Sequence, residues 1–310
     1  MLKEAVDTYL AVRRATGFKL QDDAWYLSSF ARFASAQGET HVVAQTAITW
    51  AGLARSESQR AARLKAVIRF ARFSRATDDR HELPPQGVFR PQRHRPVPYL
   101  FSPEEIQALM AHAAQLGPAG SLRPQMYSTL IGLLAATGLR ISEALGLCFQ
   151  DITPDGLVIR ETKFHKSRLV PLHPTTREAL EAYLIKRAQL VIEDEHVFVS
   201  LQRRPLSRMT VYPTFTRLLV AAGLPRTSGR SKPRLIDLRH TFATKVLLTS
   251  PESRDHIGRH MLALTTYLGH AHVSSTYWYL ESSPQLMGDI AQACEWFRQQ
   301  AACFQPLRPG

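Results

Sequence analysis

Apolar positions in the first 80 or so residues recur with helical spacing in four blocks separated by turn signals. Leu2, Val6, Tyr9 and Leu10 form one stripe that ends near Gly17; Tyr26, Phe30, Phe33 and Ala34 form a second that ends at Gly38. A third segment spans roughly 43–54. In the fourth, Leu64, Val67, Ile68 and Ala71 share one helical face, while Lys65, Arg69 and Arg72 line a neighbouring one. The pattern predicts a small helical bundle. Acidic residues are nearly missing between Arg60 and Arg75, so the basic row is expected to contact DNA rather than to be a neutralised, solvated face.

The periodicity breaks at 81–98, HELPPQGVFRPQRHRPVP, where five prolines exclude a regular helix and predict an extended, basic connector. This divides the chain into 1–80, 81–98 and 99–310. Helical patterning restarts at Ser102 with Ser-Pro-Glu-Glu, an N-cap followed by proline and acids in the first turn. A buried helix near 126–136 leads into Thr137-Gly138-Leu139-Arg140, and another helix begins around Ser142. Residues 157–162 and 168–172 read as strands flanking a hairpin turn at 163–167. Helical patterns then run from Pro174 to the end. The fold class predicted is mainly α with a small β-sheet.

Charge adds a partner to this outline. Lys and Arg number 39 against 26 Asp and Glu, giving +13 over 310 residues, spread along the chain rather than gathered in a tail; the implied partner is a polyanion. No run of about 18 apolar residues and no leader pattern is present, so a soluble, intracellular chain with no membrane role is expected. Cys148, Cys294 and Cys303 are widely spaced in apolar surroundings and read as reduced packing residues. The 12 histidines show no metal-ligand spacing, which points to chemistry without a protein-held metal.

Candidate chemistry is confined to the last 170 or so residues. Arg140 and Arg239 each stand in an apolar stretch, where a charge is costly unless partnered. Glu143, three residues after Arg140, is placed to hold it. Two such arginines could clamp one phosphate, because each guanidinium presents a planar fork of donors. His270 follows a helix-ending glycine and Tyr279 lies nine residues later. Taken singly, His270 reads as structural and Tyr279, beside Trp278, as a core or interface aromatic.

In combination, TGLRISEALGL, LRHTFAT and LGHAHVSSTYWYL, in this order and spacing, resemble the boxes of the tyrosine recombinase (phage-integrase) family, and the resemblance spans nearly the whole chain. It implies a helical, SAM-like core-binding domain followed by the catalytic domain, and a site-specific DNA recombinase that cleaves and rejoins strands through a 3′-phosphotyrosyl link. Arg140 and Arg239 would bind the scissile phosphate, with Glu143 orienting the first. Tyr279 would attack phosphorus, Lys163 would protonate the leaving 5′ oxygen, and His270 would assist. Lys166 is the second candidate for the lysine and Tyr277 for the nucleophile. His240 is a supporting residue, and Lys65, Arg69, Arg72, Lys166 and Arg168 are the expected DNA contacts. The family places a histidine or lysine three residues before the second arginine, where this chain has Ile236, which neither accepts nor donates a proton. Asp237, turned about 100° around the helix, is no simple substitute.

No metal or organic cofactor is implied, and no GxxxxGK[ST] loop is present. The resemblance further implies four protomers on two double-stranded DNA sites, or partner recombinases, in a bacterial cytoplasm in association with the nucleoid. A helix at 284–300, with Leu286, Ile290, Ala293, Cys294 and Phe297 on one face, would dock on a neighbour. The alternatives are an accessory DNA-binding subunit weakened by Ile236, and a type IB topoisomerase.

Overall fold

The computed structural model describes residues 2–18, 20–91, 97–160, 167–190, 194–224, 232–248 and 254–269, with 254–260 described for the backbone alone. Lys163, Lys166, His270, Tyr277, Tyr279 and the expected helix at 284–300 lie outside them. The chain divides into two compact units, 1–95 and 96–310.

The first unit holds α1 (Leu2–Ala15), α2 (Gln21–Ser35), α3 (Ala44–Gly52) and α4 (Glu57–Ser74). Their apolar faces close on a core that includes Leu2, Tyr9, Leu27, Phe30, Trp50, Val67 and Phe70. Tyr9 meets Phe70 edge-on at 5.7 Å between ring centroids, and Phe30 meets Trp50 at 5.5 Å. Along α2 the buried stripe is Leu27, Phe30, Ala31 and Ala34, with Tyr26 and Phe33 only partly covered, so the inward face is turned slightly from the expected one. Ser56 caps α4 by accepting the Gln59 N–H.

Two expectations change in this unit. Lys65 and Arg72 are exposed, but Arg69 donates Nη2 to both oxygens of Asp23 at 2.7 and 2.6 Å, so α2 supplies the carboxylate that residues 60–75 do not. Residues 81–91 contain no helix or strand, as the prolines require, yet their start is anchored. Glu82 donates its N–H to Val42 O at 2.8 Å and accepts the Ala44 N–H at 2.7 Å, while His81 Nδ1 accepts the Val42 N–H at 3.1 Å. Phe89 packs on the core, so the expected connector begins as part of the first unit.

The second unit is built around α6 (Arg123–Thr137), which packs against α5 (Pro103–Ala113), α8 (Pro174–Ala188) and α10 (Ile236–Leu248). Ser102 and Glu105 form a reciprocal capping box at the start of α5. The remaining helices are α7 (Ile141–Leu145), α9 (Arg208–Ala221) and α11 (Arg254–Leu268). A three-stranded antiparallel sheet runs β1 (Ile152–Thr153), β2 (Gly156–Ile159), β3 (Arg168–Val170); β1 was not anticipated, being only two residues long. Leu157, Ile159 and Val170 turn into the core, and Leu169 turns out. The described residues are thus mainly helical with one small sheet. None of their helices is long and apolar enough to cross a membrane.

Candidate functional site: three arginines on one carboxylate

The site grows from the end of α6. Gly138 adopts φ +61° and returns its N–H to Leu134 O at 3.0 Å, ending the helix in the left-handed turn that glycine favours. Leu139 enters the core, and Arg140 becomes the residue that opens α7. Its backbone N–H donates to Glu143 Oε2 at 2.9 Å and its Nη1 to Glu143 Oε1 at 2.6 Å. The arginine and glutamate paired by sequence spacing are therefore paired in space, through a helix start rather than along a helix face.

Arg239 lies in α10 and is buried, its side chain 3% exposed. Its Nη1 donates to Gly138 O and its Nη2 to Leu268 O, both at 2.7 Å, and Nη1 stands 4.0 Å from Glu143 Oε2. The two arginines expected at a phosphate thus share one carboxylate.

A third guanidinium joins them. Arg168 donates Nη1 and Nη2 to Glu143 Oε1 and Oε2 at 3.1 and 2.8 Å, and its Nε to Tyr267 O at 2.7 Å. Its side chain is only 10% exposed, so Arg168 is an internal strut and not the open DNA contact expected of it. Strand parity explains the placement. Arg168 is two residues before Val170 and shares its inward face, a period-2 signal that was legible in the sequence.

The last carbonyls of α11 complete the arrangement. Tyr267 O accepts from Arg168, Leu268 O from Arg239, and Gly269 O from Arg140 at 3.1 Å. A helix end leaves such carbonyls without intrahelical partners and carries partial negative charge, so three arginines satisfy them in succession. Burial raises the cost of charging Glu143, but the Arg168 fork, the Arg140 N–H and both guanidinium charges outweigh it, holding the carboxyl at about 2. Burial also pushes the Tyr267 phenol up to about 12, against the pull of Arg168 and Arg239, so it stays protonated at neutral pH.

At the start of α10, Ile236 is partly exposed and Asp237 is fully buried. Asp237 Oδ2 accepts the Arg234 N–H at 2.8 Å and Oδ1 accepts Arg234 Nη2 at 2.8 Å, so the acid faces inward and does not stand where Ile236 does. His240 is mostly buried, with Nε2 3.9 Å from Asp237 Oδ1. Burial, only partly opposed by Asp237, lowers its pKa to about 4, so at neutral pH it contributes no positive charge. Among the described residues, no group of three His, Cys, Asp or Glu side chains is placed to hold a metal ion.

Comparison with known proteins gives this geometry a family. The model described as the phage integrase family matches residues 100–285. A putative integrase/recombinase, y4rB, of Sinorhizobium fredii is 39% identical over 94% of this chain and 96% of its own. Tyrosine recombinase XerD of Caulobacter vibrioides is 30% identical over 76% of this chain and 75% of its own. Among solved structures, the Tn1549 transposon integrase in complex with transposon right end DNA aligns with TM-score 0.61 at 17% identity, covering 93% of this chain and 99% of that one. The XerH recombinase in a post-cleavage complex with its difH substrate aligns with TM-score 0.58 at 19% identity, over 88% of this chain and 78% of its own. The chain belongs to the phage integrase family of tyrosine recombinases.

Proposed function

We propose that this chain is a site-specific DNA recombinase that cleaves and rejoins duplex DNA through a 3′-phosphotyrosyl intermediate. The observation that carries the reading is the convergence of Arg140, Arg168 and Arg239 on Glu143. Three positive charges against one negative leave an excess of two at a place where the Arg140 side chain remains 32% exposed. A preorganised excess of guanidinium charge stabilises the oxygens of a phosphodiester as a fifth oxygen approaches phosphorus. The relatives named integrases and recombinases, and the DNA complexes among the similar structures, support DNA as the substrate.

In this reading Tyr279 Oη releases its proton to solvent water and bonds to phosphorus as the bond from phosphorus to the 5′ oxygen breaks. That oxygen takes its proton from Lys163 and leaves as a hydroxyl, while the phosphate remains on the 3′ end as a tyrosyl ester. The reverse attack, by a 5′-hydroxyl of another strand, restores a phosphodiester and frees Tyr279. One ester replaces another, so no nucleotide hydrolysis is needed. Arg140 and Arg239 hold the non-bridging oxygens, His270 hydrogen-bonds to them, and Glu143 fixes the arginines. The 1–80 bundle acts as the core-binding domain, with exposed Lys65 and Arg72 on backbone phosphates, so affinity falls steeply with salt. Four protomers assemble on two sites, each docking its 284–300 segment, expected from the sequence to be helical, on a neighbour.

A nicked suicide duplex that traps the cleaved strand tests this reading. The parent chain forms a covalent protein–DNA adduct and Tyr279→Phe forms none. Specific binding with no adduct, alone or with partner recombinases, replaces the reading with that of an accessory subunit, which the apolar Ile236 favours.

A further inference from the structure

In the proposed reaction Arg140 and Arg239 hold the phosphate, whereas Arg168 adds to the positive charge without touching the substrate. We propose that Arg168 is a positioning residue for that pair, acting through Glu143 and the end of α11; the inference rests on the proposed DNA cleavage. Its three hydrogen bonds run in two directions, Nη1 and Nη2 to the carboxylate and Nε to Tyr267 O. Arg168 therefore serves the reacting phosphate through the groups it holds.

Two couplings carry the effect. The Arg140 guanidinium reaches only Oε1 of Glu143, while its backbone N–H holds Oε2, so the guanidinium itself is fixed to the carboxylate by a single bond. The Arg168 fork adds a second bond to each oxygen, stiffening the carboxylate plane and with it the direction of the Arg140 guanidinium. The second coupling is the helix end. Arg239 and Arg140 lean on the carbonyls of Leu268 and Gly269, and Arg168 holds the carbonyl immediately before them. Loss of Arg168 frees the acceptors that orient both phosphate ligands.

The local shape is specific to a guanidinium. A Cβ at Gly269, which has φ +65°, would come within 2.8 Å of Arg168 Nη1, so the backbone lies directly against the fork. Lysine keeps the charge but offers one ammonium and cannot match both carboxylate oxygens and Tyr267 O in fixed directions.

The test compares Arg168→Lys and Arg168→Met with the parent on the suicide duplex, measuring single-turnover cleavage at saturating DNA and, separately, DNA affinity. A matched duplex carries a neutral methylphosphonate at the scissile position, which needs less guanidinium stabilisation. Displacing catalytic groups by about 1 Å costs on the order of 100-fold in rate. Cleavage of the native linkage is expected to fall by about that factor in Arg168→Lys with DNA affinity retained, and the loss is expected to be much smaller on the neutral linkage. A folding defect would reduce binding and lower both rates alike, and that pattern, or cleavage by Arg168→Lys at the parental rate, overturns the assignment. A parent chain that forms no adduct overturns the cleavage reading and this inference with it, whereas a normal adduct in parent and variants alike removes only the role of Arg168.

Discussion

Replacing Glu143 by glutamine removes the one negative charge in the three-arginine cluster while keeping the side chain's size. Glu143 is held at about 2, against 4.5 for the unperturbed group. At 1.36 kcal/mol per pH unit, that displacement corresponds to about 3 kcal/mol of stability at neutral pH. The figure agrees in scale with the roughly 3–5 kcal/mol lost when one partner of a buried ion pair is removed. Because the folded-state pKa is depressed, this contribution is complete above about 4.5 and disappears as the pH falls toward 2. Glu143→Gln is therefore expected to be less stable than the parent by about 3 kcal/mol at pH 6, and the gap is expected to narrow to about 1 kcal/mol at pH 3. Urea denaturation followed by circular dichroism across that range measures it, with the transition of the 96–310 unit fitted separately. Taking the difference between two chains that share every other carboxylate isolates this one titration. A gap below about 1 kcal/mol at pH 6, or one that does not change with pH, would refute the claim that Glu143 is the electrostatic keystone of the cluster.

Two further outcomes test neighbouring features. Ile236 is partly exposed at the start of α10, where an imidazole fits without disturbing the core; Ile236→His is expected to raise single-turnover cleavage at saturating DNA, and an unchanged or lower rate rejects the idea that this position limits the enzyme. A Cβ at Gly138 would lie 2.5 Å from Phe242 Cδ1 at φ +61°. Gly138→Ala should therefore cost at least the roughly 1–2 kcal/mol of a left-handed non-glycine residue, read as a lower urea midpoint, and should also slow cleavage because Gly138 O is an acceptor for Arg239.

Much of this protein was legible in the chain by itself. The four N-terminal helices, the capping box at Ser102, the glycine turn before Arg140 and the β2–β3 pair all follow from period, caps and breakers, which act within a few residues. The pairing of Arg140 with Glu143 followed for the same reason, being separated by only three positions. The two-residue β1 escaped because a strand that short has no periodicity to read.

Tertiary structure alone decided who partners whom at long range. Arg69 reads as an open cation along α4, and only the packing of α2 brings Asp23 to it from 46 positions away. Proline content excluded a helix at 81–91, but composition carries no information about the bonds from His81 and Glu82 back to residues 42 and 44. Arg168 shows the division most sharply. Strand parity already turned it inward, yet its partners lie 25 positions back at Glu143 and 99 positions ahead at Tyr267. A buried guanidinium must find acceptors, and the sequence states that requirement; which acceptors it finds depends on the approach of β3, α7 and α11, which no local free energy specifies.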